Sequence, residues 1–293
     1  MKFGLSMFGL GPRHYARVAQ AAEAAGFDSV WLPDHVVFPE TIPATYPYDA
    51  SGVPGMDSSV GVFDPWVILA AVAQATTTIL MGTAVYILPL RHPIIAGRAL
   101  VTLDHLSNGR VLLGAGVGWL EPEFEIMGED FTKRGKRVDE TIPLLRRMWT
   151  EPTIEHHGEF FDMPPFKFNP KPRKGTIPIL IGGDSPAALR RAGRLGDGWL
   201  EIGLQSLEEL SGRLAKVKAA RSEAGLPEAP FDVTLIMRPK DMALTDELVR
   251  QLEDLGVGRI IVGQVAKATG GITVDTACEW AAEFGRETIS RYA

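Results

Sequence analysis

One cysteine stands in 293 residues. Alone, Cys278 can close no intramolecular disulfide and leaves a cysteine-based metal site without its ligands, so the expected compartment is a reducing cytoplasm. Also missing is any apolar run near the length that a bilayer span requires, and no membrane partner is expected. The opening stretch Met1-Lys2-Phe3-Gly4-Leu5-Ser6-Met7-Phe8 is short, broken by glycine and followed by Arg13-His14 without a small-residue cleavage pattern. It reads as a first strand and not as a signal peptide. No long block of like charge occurs, and 30 basic against 36 acidic residues give a net charge of −6. The electrostatic footprint of a nucleic-acid binder is therefore lacking. Nothing resembles a serine-hydrolase elbow, a Walker loop or a zinc-protease helix. The pair His156-His157, between Glu155 and Glu159, suggests a metal, but neighbours on a strand face opposite sides and cannot readily share one ion. No metal is expected.

What the chain does have is rhythm. Its composition is 45% apolar, enough for a sizeable core in one barrel-sized domain or two small ones. Short apolar runs at 2–7, 29–32, 79–86, 111–114, 179–181, 198–202, 233–237 and 259–262 each precede a helix-like stretch, the signature of parallel βα units. Eight such units predict an α/β fold, a (β/α)8 TIM barrel spanning 1–293 as a single domain. A doubly wound open sheet is the runner-up, because strand count cannot show closure. Two segments, 36–64 and 151–178, break the rhythm as insertions; in a barrel both fall at the C-terminal face of the strands, where active sites are built. The first carries Tyr46 and Tyr48 as binding aromatics, and its composition equally suits a disordered surface loop. The second contains an alternating stretch, 155–162, that suits a small hairpin.

Two glycine turns follow apolar runs. The first is Gly114-Ala115-Gly116-Val117-Gly118, and the second is Gly182-Gly183-Asp184-Ser185-Pro186. In the second, Ser185 suits an N-cap and Pro186 the first helical residue. Each turn offers backbone donors to an anion, and on one barrel both face the same mouth. Singly, such turns are more often structural, and the first lacks the spacing of a dinucleotide fingerprint, with Trp119 following instead. Asp34-His35 follow the second apolar run, where a histidine can shuttle a proton and Asp34 can orient it or bind a substrate hydroxyl; the plainer reading is a turn cap beside a packed ring.

The stretches Gly26 to His35, Leu103 to Arg110 with the following turn, and Ile181-Gly182-Gly183 through Trp199 resemble the bacterial luciferase-like family. Leu88-Pro89-Leu90-Arg91-His92-Pro93 and Asn169-Pro170-Lys171-Pro172 are similar to its deazaflavin branch, the coenzyme F420-dependent oxidoreductases. The resemblance implies F420, or alternatively FMN, across the barrel mouth. It implies phosphate contacts from the two turns, here Gly116, Val117, Gly118, Gly182, Gly183, Asp184 and Ser185. A non-proline cis peptide at Ala84-Val85 would support the cofactor ring. His35 and Asp34 would lie near the reactive carbon, with Trp31, Tyr86 and Trp119 lining the substrate pocket. The sugar-phosphate dehydrogenases of the family carry a glutamate directly after the glycine at 118, where this chain has Trp119; that weighs against a sugar phosphate substrate. The expected function is hydride transfer between F420 and a small organic substrate. The alternatives are an FMN-dependent monooxygenase served by a flavin reductase and a non-catalytic flavin-binding protein. A homodimer is compatible with each.

Overall fold

A computed structural model describes residues 1–49, 51–204, 206–226, 229–237, 243–263 and 273–292. The parallel staves run β1 (Lys2–Ser6), β2 (Ser29–Leu32), β3 (Leu80–Thr83), β4 (Tyr86–Ile87) and β5 (Val111–Gly116), then, beyond a hairpin of β6 (Ile154–His157) and β7 (Asp162–Phe166), β8 (Ile179–Gly182), β9 (Gly198–Ile202), β10 (Asp232–Met237) and β11 (Arg259–Gly263). β1 pairs with both β2 and β11, and β3 pairs with both β2 and β5, so the sheet closes into the eight-stave barrel that the spacing predicts. The doubly wound sheet is thereby excluded, since an open sheet has edge strands that this one lacks. The third stave is split: β3 ends at Thr83, the Ala84–Val85 peptide is cis, and the ladder resumes in β4.

The helices are α1 (Tyr15–Ala24), α2 (Pro65–Ala75), α3 (Pro93–Leu106), α4 (Glu121–Met127), α5 (Arg134–Thr150), α6 (Pro186–Leu195), α7 (Leu207–Glu223), α8 (Asp246–Leu255) and α9 (Val274–Glu287). Their starts follow capping chemistry. Asp64 accepts from the N–H groups of Trp66 and Val67, and Ser185 accepts from Ala188 with Pro186 opening the helix. The short helix α4 is absent from the apolar periodicity, because seven residues give too few turns to show a face. Among the described residues no helix is long and apolar enough to cross a membrane.

Inside the barrel a distinct cluster of Trp31, Leu112, Leu180, Leu200 and Ile261 fills the lumen. Trp31 takes the largest share. A Cβ at Gly4 would stand 2.5 Å from its Nε1, and one at Gly82 would stand 2.3 Å from its ring. Two neighbouring staves thus give up their side chains to admit one indole, whose Nε1 donates to Ser29 Oγ at 2.9 Å. The mouth sits above this plug.

Candidate active site

A cleft of about 560 Å³ opens at the C-terminal ends of the strands, within the usual size for a small-molecule site. Its floor is the split stave. Val85 lodges between the two glycine turns: a Cβ at Gly116 would come within 2.3 Å of one Val85 methyl, and a Cβ at Gly182 within 2.5 Å of the other. Both glycines therefore have a packing reason, which a strand-end glycine does not reveal in sequence. They let Ala84 and Val85 rise into the cleft as an apolar platform.

Asp34 holds that platform from behind. Its carboxylate accepts from Arg91 through both oxygens, at 2.6 and 2.7 Å, and from the Ile87 N–H at 2.8 Å. Arg91 also lies 4.3 Å over the Tyr86 ring and donates to the Ile87 carbonyl. Burial works against charge on both partners; for Arg91 the attraction of Asp34 outweighs it and raises the guanidinium's hold on its proton. Asp34 lines the cleft, but its oxygens are spent on Arg91 and the Ile87 N–H. The expectation that it orients His35 is corrected.

His35 is oriented instead by Glu123, from the short helix α4. The Nδ1 of His35 donates to Glu123 Oε2 at 2.9 Å, and Glu123 Oε1 accepts from the Val36 N–H at 2.6 Å. The carboxylate is fully buried on α4. With Nδ1 occupied, Nε2 is the ring nitrogen left for proton exchange with the cleft. The only sequence signal was a pair of acids, Glu121 and Glu123, flanking Pro122 in a first turn.

Of the other predicted residues, Ala84, Val85, Gly116, Val117, Gly118, Trp119, Gly182, Gly183, Asp184 and Ser185 all line the cleft. Trp31 and Tyr86 do not. Trp31 is the lumen plug, and Tyr86 is buried between Trp66 and Arg91. One donor is also lost to the phosphate reading, since the Gly183 N–H bonds to the Leu200 carbonyl at 3.3 Å. The Asp184 and Ser185 N–H groups, at the positive end of α6, have no acceptor among the described residues. Arg134 adds a cation at the first turn: its Nε and Nη1 donate to the carbonyls of Gly118 and Phe131, leaving Nη2 without an acceptor among the described residues.

His156 and His157 have separate partners, Glu140 for the first and Asp162 and Glu155 for the second. Their insertion, 151–178, leads from the end of α5 into the N-terminal end of β8 and lines none of the cleft, which corrects the expectation that both insertions fall at the C-terminal face of the strands.

Behind the second turn, Glu201 on β9 is buried against Arg213 of α7, which also lies 3.5 Å from Asp184. Burial, followed by the neighbouring Asp184 and Glu209, raises the Glu201 carboxyl to about 7 in spite of Arg213. The folded chain then holds this proton more tightly than the unfolded chain does. Its contribution is greatest below the ordinary glutamate range and is lost as pH rises through about 7. Between pH 5 and 8 the wild type is expected to lose about 2 kcal/mol from this group, and Glu201→Gln is expected to remove that slope. Urea midpoints across the range measure it; parallel curves for the two proteins would refute it.

The sequence model of the luciferase-like monooxygenase family matches residues 6–253. An uncharacterized protein of Mycobacterium bovis is 39% identical over 249 residues, covering 85% of this chain and 84% of its own. The F420-dependent glucose-6-phosphate dehydrogenase of Amycolatopsis mediterranei is 30% identical over 220 residues, covering 73% of this chain and 60% of its own. Among solved structures, a monooxygenase from Streptomyces bottropensis superposes with a TM-score of 0.79 at 22% identity over 100% of both chains. That last likeness speaks for the fold.

Proposed function

This chain belongs to the luciferase-like monooxygenase family, and on that footing we propose that it is an oxidoreductase dependent on coenzyme F420, moving a hydride between the deazaflavin and a small organic substrate. The observation that carries this reading is His35, hydrogen-bonded to the buried Glu123, in the wall of the cleft. A hydride exchanged with a carbonyl or alcohol carbon must be matched by a proton at the attached oxygen, and His35 Nε2 is the group on hand to give or take it. The F420-dependent relative supports the choice of cofactor.

The residues present suit a flat, phosphate-bearing cofactor. The Ala84–Val85 platform offers an apolar surface. The α6 N-terminus, with the Asp184 and Ser185 N–H groups, and Arg134 across the cleft at the first turn provide for an anion. When bound, F420 supplies or takes up the hydride. The chain's part is to hold its ring over Val85, to keep His35 in one tautomer through Glu123, and to exclude water with the side chains of the 36–64 insertion.

Parallel fluorescence titrations of the purified protein with F420 and FMN test the reading. F420 is expected to bind at least about tenfold more tightly, a difference of ~1.4 kcal/mol. Tighter binding of FMN would overturn the F420 assignment in favour of flavin chemistry.

A further inference from the structure

The walls of the cleft differ in kind from its ends. Five rings form one chain of contacts along it. Phe38 lies 4.7 Å from the ring of His35, His35 lies 6.0 Å from Trp119, Trp119 lies 5.0 Å from Tyr46, and Tyr46 lies 5.5 Å from Tyr48. All five line the cleft, and all are half-buried. Three come from the 36–64 insertion, one from the mouth of β2 and one from the first glycine turn. Tyr48 carries the wall to the second turn, where a Cβ on Gly183 would stand 3.6 Å from its hydroxyl.

Charge points the same way. The charged side chains lining the cleft are Asp34, His35, Glu121, Arg134 and Asp184. Asp34 is matched by Arg91, and Asp184 faces Arg213 at 3.5 Å. Apart from His35, Arg134 is the one cation in the lining among the described residues, and it sits at the first glycine turn, where it would meet the anion of the proposed cofactor. Among the described residues no second cation lines the aromatic wall to meet a phosphorylated substrate, and a buried unpaired anion is costly. A short aliphatic substrate would leave most of the ring surface in contact with water.

We infer that the substrate is an uncharged, planar, conjugated ketone whose ring system lies along the Trp119–Tyr46 wall with its carbonyl at His35. This inference rests on the oxidoreductase reading above. In the reducing direction the C=O π bond breaks, the hydride from the reduced cofactor forms the new C–H bond, and the His35 proton forms the O–H bond. The ketone gains two electrons and leaves as the secondary alcohol, while the cofactor is oxidised. In sequence terms the departure is Trp119 itself, which puts an indole beside His35.

Calorimetric titration of the F420-loaded protein with 2-acetylnaphthalene, acetone and glucose 6-phosphate tests the assignment independently of turnover. The naphthyl ketone is expected to bind at least about tenfold more tightly than acetone, with glucose 6-phosphate failing to compete. Trp119→Ala is expected to weaken the naphthyl ketone by about tenfold or more, while Trp119→Phe stays within about threefold. In both variants F420 affinity, read by its fluorescence, is expected to hold. Equal affinity for the two ketones, no loss in Trp119→Ala, or tighter binding of glucose 6-phosphate would each overturn the assignment. If F420 does not bind but the unloaded protein still discriminates between the ketones as expected, the aromatic wall stands and the cofactor reading falls alone.

Discussion

Replacing His35 by alanine is expected to lower kcat by about a hundredfold or more at neutral pH while leaving F420 affinity within a few-fold. The size follows from general acid–base catalysis, which typically contributes ~10²–10⁴-fold. The geometry explains why cofactor binding is expected to survive: the ring of His35 is held from behind by Glu123, whereas the platform, the α6 N-terminus and Arg134 belong to other elements. The wild-type pH–rate profile is expected to carry a limb that the variant lacks. Glu123→Gln keeps an acceptor for the Val36 N–H but weakens the pull on Nδ1; it is expected to shift that limb and to cost less than His35→Ala. Near-normal kcat with an unchanged profile in His35→Ala would make the residue a packing histidine and leave solvent as the proton route.

The second large effect falls on stability. Asp34→Ala strips the half-buried Arg91 of its counter-charge and the Ile87 N–H of its acceptor. Removing one partner of a buried ion pair costs ~3–5 kcal/mol, because the other charge stays uncompensated. Denaturant unfolding of Asp34→Ala is expected to show a loss in that range, and the double variant Asp34→Ala with Arg91→Met is expected to recover part of it, since the stranded charge is gone. Equal stability of Asp34→Ala and wild type would contradict the anchoring role. A further comparison separates anchoring from chemistry. Asp34→Asn retains the shape and one acceptor oxygen but not the counter-charge of Arg91, so its stability is expected to fall between those of Asp34→Ala and the wild type; if Asp34 itself handled the proton, turnover would fall further than this loss of stability explains.

Two consequences of the architecture join these effects. The same platform residue, Val85, is gripped by Gly116 and Gly182 and backed by the Asp34–Arg91 anchor through β4. Damage to the anchor is therefore expected to reach cofactor binding through the floor, even though Asp34 and Val85 lie on different staves. His35, next in sequence to Asp34, looks instead to α4. Two adjacent residues thus serve two different structures, which is why an Asp-His pair in sequence reads so easily as a functional dyad.

The chain's own pattern determined the eight parallel units and their order, because a strand buried on both faces is a short apolar run and the helix after it shows a 3.6-residue stripe. It determined both glycine turns, the Ser185-Pro186 helix start, the hairpin around 155–162, and the placement of His35 at a strand end, since each depends on residues close in sequence. Tertiary structure alone decided the rest. Closure of the barrel is a pairing of β1 with β11, more than 250 positions apart, and no local pattern encodes it. Trp31 follows strand alternation into the lumen, where only the side-chain-free Gly4 and Gly82 on neighbouring staves make room for it. Glu123 meets His35 across 88 positions from a helix too short to show a face. Arg91 meets Asp34 across 57. Such pairs are chosen by burial, where an unpaired charge or donor is costly. That cost acts only once the chain has brought them together.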